Sequence, residues 1–89
     1  MAELEGLDPE QIQADVKSLI AEIAEIPEED IAGDALFGEE LGIDSLMGLE
    51  IIAAVEKKYR IEIPEDHLRR VKTLNDTIAL VEEYLEASR

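Results

Sequence analysis

Aliphatic residues three and four positions apart dominate this chain, and that period commits it to helices. Ile12, Val16, Leu19, Ile20 and Ile23 form the first such set. Leu46, Leu49, Ile52, Val55 and Tyr59 form a second, and Ile78, Val81 and Leu85, with either Leu74 or Tyr84, form a third. The punctuation between them agrees. Asp8-Pro9-Glu10-Gln11 predicts a helix start, with Asp8 as cap, Pro9 in the first turn and Gln11 three residues after the cap. Pro27 ends that helix after residue 24 or 25, because the residue before a proline is driven into extended backbone. The second helix begins at Asp44 or Ser45, runs to about Tyr59, and tolerates Gly48 at a cost of about 1 kcal/mol relative to alanine. Arg60 to Pro64 reads as a linker that turns Ile61 and Ile63 inward by alternation. Glu65 to Arg70 supplies one or two helical turns. Thr73, with Asp76 three residues on, makes a capping box for a last helix that ends near residue 87.

Residues 26–43 are too long for an idle connection inside a small domain, so Ile31, Leu36, Phe37, Leu41 and Ile43 are expected to pack onto the helices. The expected fold is all-α: a four-helix bundle with a short third helix and a long loop between helices one and two. Residues 1–7 lack periodicity and are expected to be a flexible tail, with residues 8–89 as a single domain.

At 89 residues, 46% of them apolar, the chain can build one modest core. With no tryptophan or cysteine and only Phe37, Tyr59 and Tyr84 as aromatics, that core is aliphatic and lacks disulfide or thiolate–metal staples. The net charge of −15 is uneven: residues 1–44 hold 14 acids against the single base Lys17. Such a field repels nucleic acid and anionic membranes, opposes compaction, and steers toward basic protein surfaces. The acidic start, Met-Ala-Glu-Leu-Glu, lacks the basic and apolar regions of a signal peptide, and no stretch reaches membrane-spanning length. A cytoplasmic, monomeric protein is the expectation.

The run from Leu41 to Glu50 carries the chemistry. It places the Ser45 hydroxyl where a loop closed by Gly42 turns into a helix. A helix start offers unpaired N–H groups and the positive end of the peptide dipole, which suits a phosphate group. Ser45 could serve only as a helix cap, but Asp44 is already a good one. Glycines before and after, Gly42 and Gly48, keep bulk away from the hydroxyl. No catalytic residue is assigned. A nucleophilic serine needs a base held by a third group, and the lone His67 has no evident orienting partner. No metal site is assigned either, since the calcium-loop pattern of alternating acids around a glycine is missing. Two readings follow: a group carried on Ser45, or an acidic helical interaction module that binds a basic protein partner through residues 1–44 without a cofactor.

Gly42-Ile43-Asp44-Ser45-Leu46, followed by Leu49-Glu50-Ile51, resembles the attachment motif of acyl carrier proteins. Tyr59-Arg60-Ile61-Glu62-Ile63-Pro64 is similar to the stretch that ends their second helix, and Thr73-Leu74 to the cap of their fourth. The resemblance spans about residues 10–86. It implies that a phosphopantetheinyl transferase joins 4′-phosphopantetheine from coenzyme A to Ser45, with Asp44 helping to place the metal ion during attachment. Acyl groups would then ride as thioesters between enzymes of fatty acid, polyketide or specialised lipid biosynthesis. A flexible arm lets one carrier visit several active sites at high effective concentration. Acyl-loading and acyl-processing enzymes would dock near helix two. There the chain departs from the family: Met47 stands where an acid is usual, Glu56-Lys57-Lys58 ends the helix, and His67-Leu68-Arg69-Arg70 replaces an acidic stretch. With Glu50, Glu56 and Glu62 remaining, the docking face is mixed in charge. Asp-Ser-Leu-Met also resembles carriers of polyketide or specialised lipid pathways, so a dedicated partner set is expected. Gly48, Ala53 and Ala54, opposite Leu68, Val71 and Ile63, would leave room for an acyl chain between helices two and three.

Overall fold

Asp8 opens the first helix as expected, its Oδ1 accepting the Glu10 N–H at 3.0 Å. Gln11 does not reach back to the cap; its Nε2 donates one turn onward, to Asp15 Oδ1, at 2.9 Å. The computed structural model describes residues 8–87, so the tail assigned to residues 1–7 lies outside the described residues, as do 88 and 89. Four α-helices follow in order: α1 Pro9–Ala24, α2 Ser45–Tyr59, α3 Glu65–Leu68 and α4 Leu74–Ala87. A 3-10 turn, Glu28–Asp30, lies in the loop between α1 and α2, and the described residues contain no strand. The all-α architecture, with its short third helix and long first loop, is as the sequence predicts.

Helices α1 and α2 end alike. Glu25 (φ 60°) and Arg60 (φ 58°) take the left-handed conformation and turn their N–H groups to the carbonyls of Ala21 and Glu56. The next residues, Ile26 and Ile61, bond to the same two carbonyls at 3.1 Å each. This conformation costs a residue other than glycine about 1 kcal/mol, which the added bonds to orphan carbonyls offset. The left-handed turn at Glu25 closes α1, while Pro27 two residues beyond opens the 3-10 turn.

α1 packs against both α2 and α4. It contributes Ile12, Val16 and Ile20 to the core, α2 contributes Ile51, Ile52 and Val55, and α4 contributes Leu74, Leu80 and Val81. Two of the faces differ from the spacing-based expectation. In α2, Leu46 is 65% exposed and Leu49 50%, whereas Ile51 is 1% exposed. The buried face of α2 is therefore set by Ile51, Ile52 and Val55, and Leu46 and Leu49 lie outside it. In α4 the buried row is Leu74, Thr77, Leu80 and Val81, with Ile78, Tyr84 and Leu85 half-buried. Thr77 is wholly buried yet satisfied, because its Oγ1 donates to the Thr73 carbonyl at 3.0 Å.

The long loop is folded into the core through Ile31, Ala35, Phe37 and Ile43. Its backbone is clipped to the start of α4: Phe37 N–H donates to the Lys72 carbonyl at 2.8 Å, and Asn75 N–H to the Gly33 carbonyl at 3.0 Å. At that same start Thr73 Oγ1 accepts the Asp76 N–H at 3.1 Å, the expected half of the capping box. The other half is displaced by one residue, since the Asp76 carboxylate accepts from Lys72 N–H at 3.0 Å.

Two acids tie segments together. Asp15 Oδ2 accepts from the Tyr59 hydroxyl at 3.3 Å and lies 4.0 Å from Lys58 Nζ, joining α1 to the end of α2. Burial, and then the Asp15 carboxylate, push the Tyr59 phenol well above its ordinary value. Glu56 Oε2 accepts the Ile63 N–H at 2.7 Å and fixes the linker before α3.

The buried face of α2 is directly measurable. Ile51→Ala is expected to cost about 2–5 kcal/mol in chemical denaturation, as large-to-small core changes do. Leu46→Ala is expected to stay within about 0.5 kcal/mol of the parent, as for exposed positions.

Candidate functional site

Gly42 makes the last turn of the loop with φ +69°, where an added Cβ would be strained by the backbone alone. Ile43 follows, buried, its N–H donating to the Phe37 carbonyl at 2.8 Å. The next residue must then leave the core, and Asp44 does so in extended conformation (φ −84°, ψ −179°) as the cap of α2. Its Oδ1 accepts the Met47 N–H at 2.9 Å, and its carbonyl accepts the Gly48 N–H at 2.9 Å. Asp44, not Ser45, is therefore the cap. Ser45 is the first helical residue and is exposed. The N–H groups of Ser45 and Leu46 are left without a carbonyl in the helix, and the positive end of the dipole lies beside the serine hydroxyl.

An apolar groove of about 380 Å³ opens beside Ser45. Gly48, Leu49 and Ile52 of α2 form one wall, and Leu68, Arg69 and Val71 form the other. Phe37 and Ile43 of the loop also line it. A Cβ built on Gly48 would meet nothing within 4 Å, so this glycine leaves open space at the groove. Of the residues expected to make room between α2 and α3, Gly48, Leu68 and Val71 take part, while Ala53, Ala54 and Ile63 do not line this groove. Ala53 is exposed, and Ile63 is buried where Glu56 holds its N–H.

His67 does have a partner, contrary to the sequence reading. Its Nδ1 lies 2.7 Å from the Tyr84 hydroxyl, and the two rings meet edge to face at 5.6 Å and 67°. That pair ties α3 to α4 across a separation that a local pattern cannot show. His67 does not line the groove, so no base is brought to Ser45 there. Among the described residues no group of three or more His, Cys, Asp or Glu could hold a metal ion.

The exposed charges along α2 and just after α3 are of both signs. Glu50 and Glu62 are exposed, but Glu56 is half-buried and engaged with the linker backbone. Lys57, Arg60, Arg69 and Arg70 are exposed too. Sequence reasoning missed two features: the exposed leucine pair Leu46 and Leu49, and the place of Arg69 in the groove wall. Helical spacing counts apolar residues without knowing what covers them, so it held no signal for either.

Residues 14–81 match the family described as phosphopantetheine attachment site. An acyl carrier protein of Acidothermus cellulolyticus is 33% identical over 82% of this chain and 87% of its own length. One from Sulfurovum sp. is 37% identical over 76% of this chain and 91% of its own. Among solved structures, the HMG-ACPI domain from the CurA module of Lyngbya majuscula superimposes with a TM-score of 0.78 at 24% identity, over 92% of this chain and 82% of that one. Hexanoyl ACP from the actinorhodin polyketide synthase of Streptomyces coelicolor gives 0.70 at 27% identity, over 85% and 92%. The chain belongs to the acyl carrier protein family, whose domain carries a phosphopantetheine prosthetic group. Members of this family are carriers rather than catalysts, and they work with a phosphopantetheinyl transferase and acyl-processing enzymes. No helix of the described residues is long and apolar enough to cross a membrane.

Gly48 offers a test of the open groove. Because an added methyl group meets no neighbour within 4 Å, Gly48→Ala is expected to raise unfolding stability by about 1 kcal/mol, the helix-propensity difference. Denaturant titration reads this out.

Proposed function

We propose that the Ser45 hydroxyl is the attachment point of the 4′-phosphopantetheine arm, and that residues 8–89 act as an acyl carrier domain. When bound, the arm supplies a thiol on which acyl groups are held as thioesters. The observation that carries this reading is an exposed serine heading α2 at the mouth of an apolar groove. The surroundings fit the group. Two N–H groups and the dipole of a helix of 15 residues favour the phosphate. Gly48, one turn along from Ser45, leaves open space at the groove. With no cysteine anywhere in the chain, no internal thiol competes for the acyl group.

The groove suits the acyl chain of such a cargo, since burying apolar surface stabilises by about 25 cal/mol per Å². Exposed Leu46 and Leu49, next to Ser45, give partner enzymes an apolar anchor. The basic residues further along α2 and after α3 make those partners differ from enzymes that read a purely anionic helix. Asp-Ser-Leu-Met, and the likeness to hexanoyl ACP from a polyketide synthase, favour polyketide or specialised lipid biosynthesis over general fatty acid synthesis. The protein works as a cytoplasmic monomer in this reading.

Incubation with coenzyme A, magnesium and a broad-specificity phosphopantetheinyl transferase is expected to add one phosphopantetheinyl mass, and Ser45→Ala to abolish the gain. Unchanged mass with several transferases would instead favour a cofactor-free interaction module. Loading a medium-length acyl group is expected to raise the melting temperature above that of the holo form; no rise means the chain stays in water and the groove does not shelter it.

A further inference from the structure

Two charged residues line the groove, Asp44 at the start of α2 and Arg69 just after α3, in an otherwise apolar or small lining. Arg69 is exposed, and among the described residues no carboxylate lies within ion-pairing distance of it. That is unexpected in a chain with 23 acids and 8 bases. Its backbone is held in place nonetheless. Arg69 and Arg70 both turn their N–H groups to the His67 carbonyl, Val71 bonds to Leu68, and Leu68 and Val71 pack against the core. The segment therefore holds the backbone of Arg69 at the groove that Ser45 also lines, with no ion-pair partner for its guanidinium among the described residues.

A phosphodiester on Ser45 would add a negative charge beside Asp44, in a protein already at −15. The helix dipole compensates only part of it. A guanidinium presents N–H donors in a planar fork that matches phosphate oxygens, and it stays charged at any working pH. We propose that Arg69 is a positioning residue: its guanidinium pairs with the phosphodiester on Ser45 and lays the first part of the arm across the groove, toward Leu68 and Val71. This rests on the reading that Ser45 bears the arm. Arg70 supplies the internal control. It belongs to a separate depression with Asp76, Leu80 and Glu83, on the α4 side.

The experiment compares the holo forms of the parent, Arg69→Gln, Arg69→Lys and Arg70→Gln, each verified by mass, by 31P NMR of the phosphodiester across a salt titration. In the parent, the 31P resonance is expected to move with added salt as the ion pair is screened. Arg69→Gln is expected to start near the parent's high-salt position and respond weakly. Arg69→Lys is expected to be intermediate and Arg70→Gln to match the parent. The side-chain Nε–H signal of Arg69, followed in the unmutated protein, is expected to shift between apo and holo forms, which requires no variant to fold. Arg69→Gln holo protein with the parent's 31P shift and salt response, or an unmoved Arg69 Nε–H signal, overturns the proposal while leaving the arm on Ser45. A parent that gains no phosphopantetheinyl mass overturns both.

Discussion

The site depends on how the connection between α1 and α2 is pinned. Phe37 enters the core and gives its N–H to the Lys72 carbonyl, while its own carbonyl takes the N–H of Ile43. Buried backbone groups must find partners, and these three residues satisfy one another across the bundle. The consequence is positional. With Ile43 fixed on the inside and Gly42 supplying the left-handed turn before it, Asp44 and Ser45 emerge opposite the segment that follows α3. Release of that clip would free the start of α2, and the groove would lose one of its walls.

α2 serves two purposes along its length. Its middle, through Ile51, Ile52 and Val55, is core and holds the helix against α1. Its first two turns carry exposed Leu46 and Leu49 and half-buried Met47 around an open space left by Gly48. Such a helix gives up local stability near the serine for access. The loss is limited because the other end is well anchored: the Tyr59 hydroxyl bonds to Asp15 and the Glu56 carboxylate to the linker. The far wall is secured separately, by His67 against Tyr84 and by Leu68 and Val71 on the core.

Charge is distributed to match this division. The half of the chain that contains α1 and the loop is almost purely acidic, while the bases gather from Lys57 to Lys72. In a small domain the resulting self-repulsion is tolerable because most of these groups are exposed and screened by water and salt. One base of that segment, Arg69, lines the groove together with Asp44, so the groove carries both signs of charge. This surface differs from one that attracts any basic enzyme, and specificity gained by such charge patterns acts mainly on encounter and on rejection of wrong partners.

Caps, breakers and helical period are local properties, and they were legible: the start of α1 at Asp8, the start of α2 at Asp44, Thr73 before α4, the inward Ile61 and Ile63, and Ser45 at a helix mouth all follow from a few neighbouring residues. Burial is not local. Leu46 and Leu49 have the same period as Val55, yet only tertiary packing decides which of them leaves water. Thr77 reads as polar until the Thr73 carbonyl is found to satisfy it in the core. His67 gained its partner, and Arg69 its place across from Ser45, only when α3 was laid between α2 and α4. The sequence alone determined the helices and the serine at the mouth of α2, because backbone hydrogen bonding and capping act over three or four residues. Tertiary packing decided which faces are covered and what surrounds the hydroxyl, because those depend on residues far apart in the chain meeting in one small core.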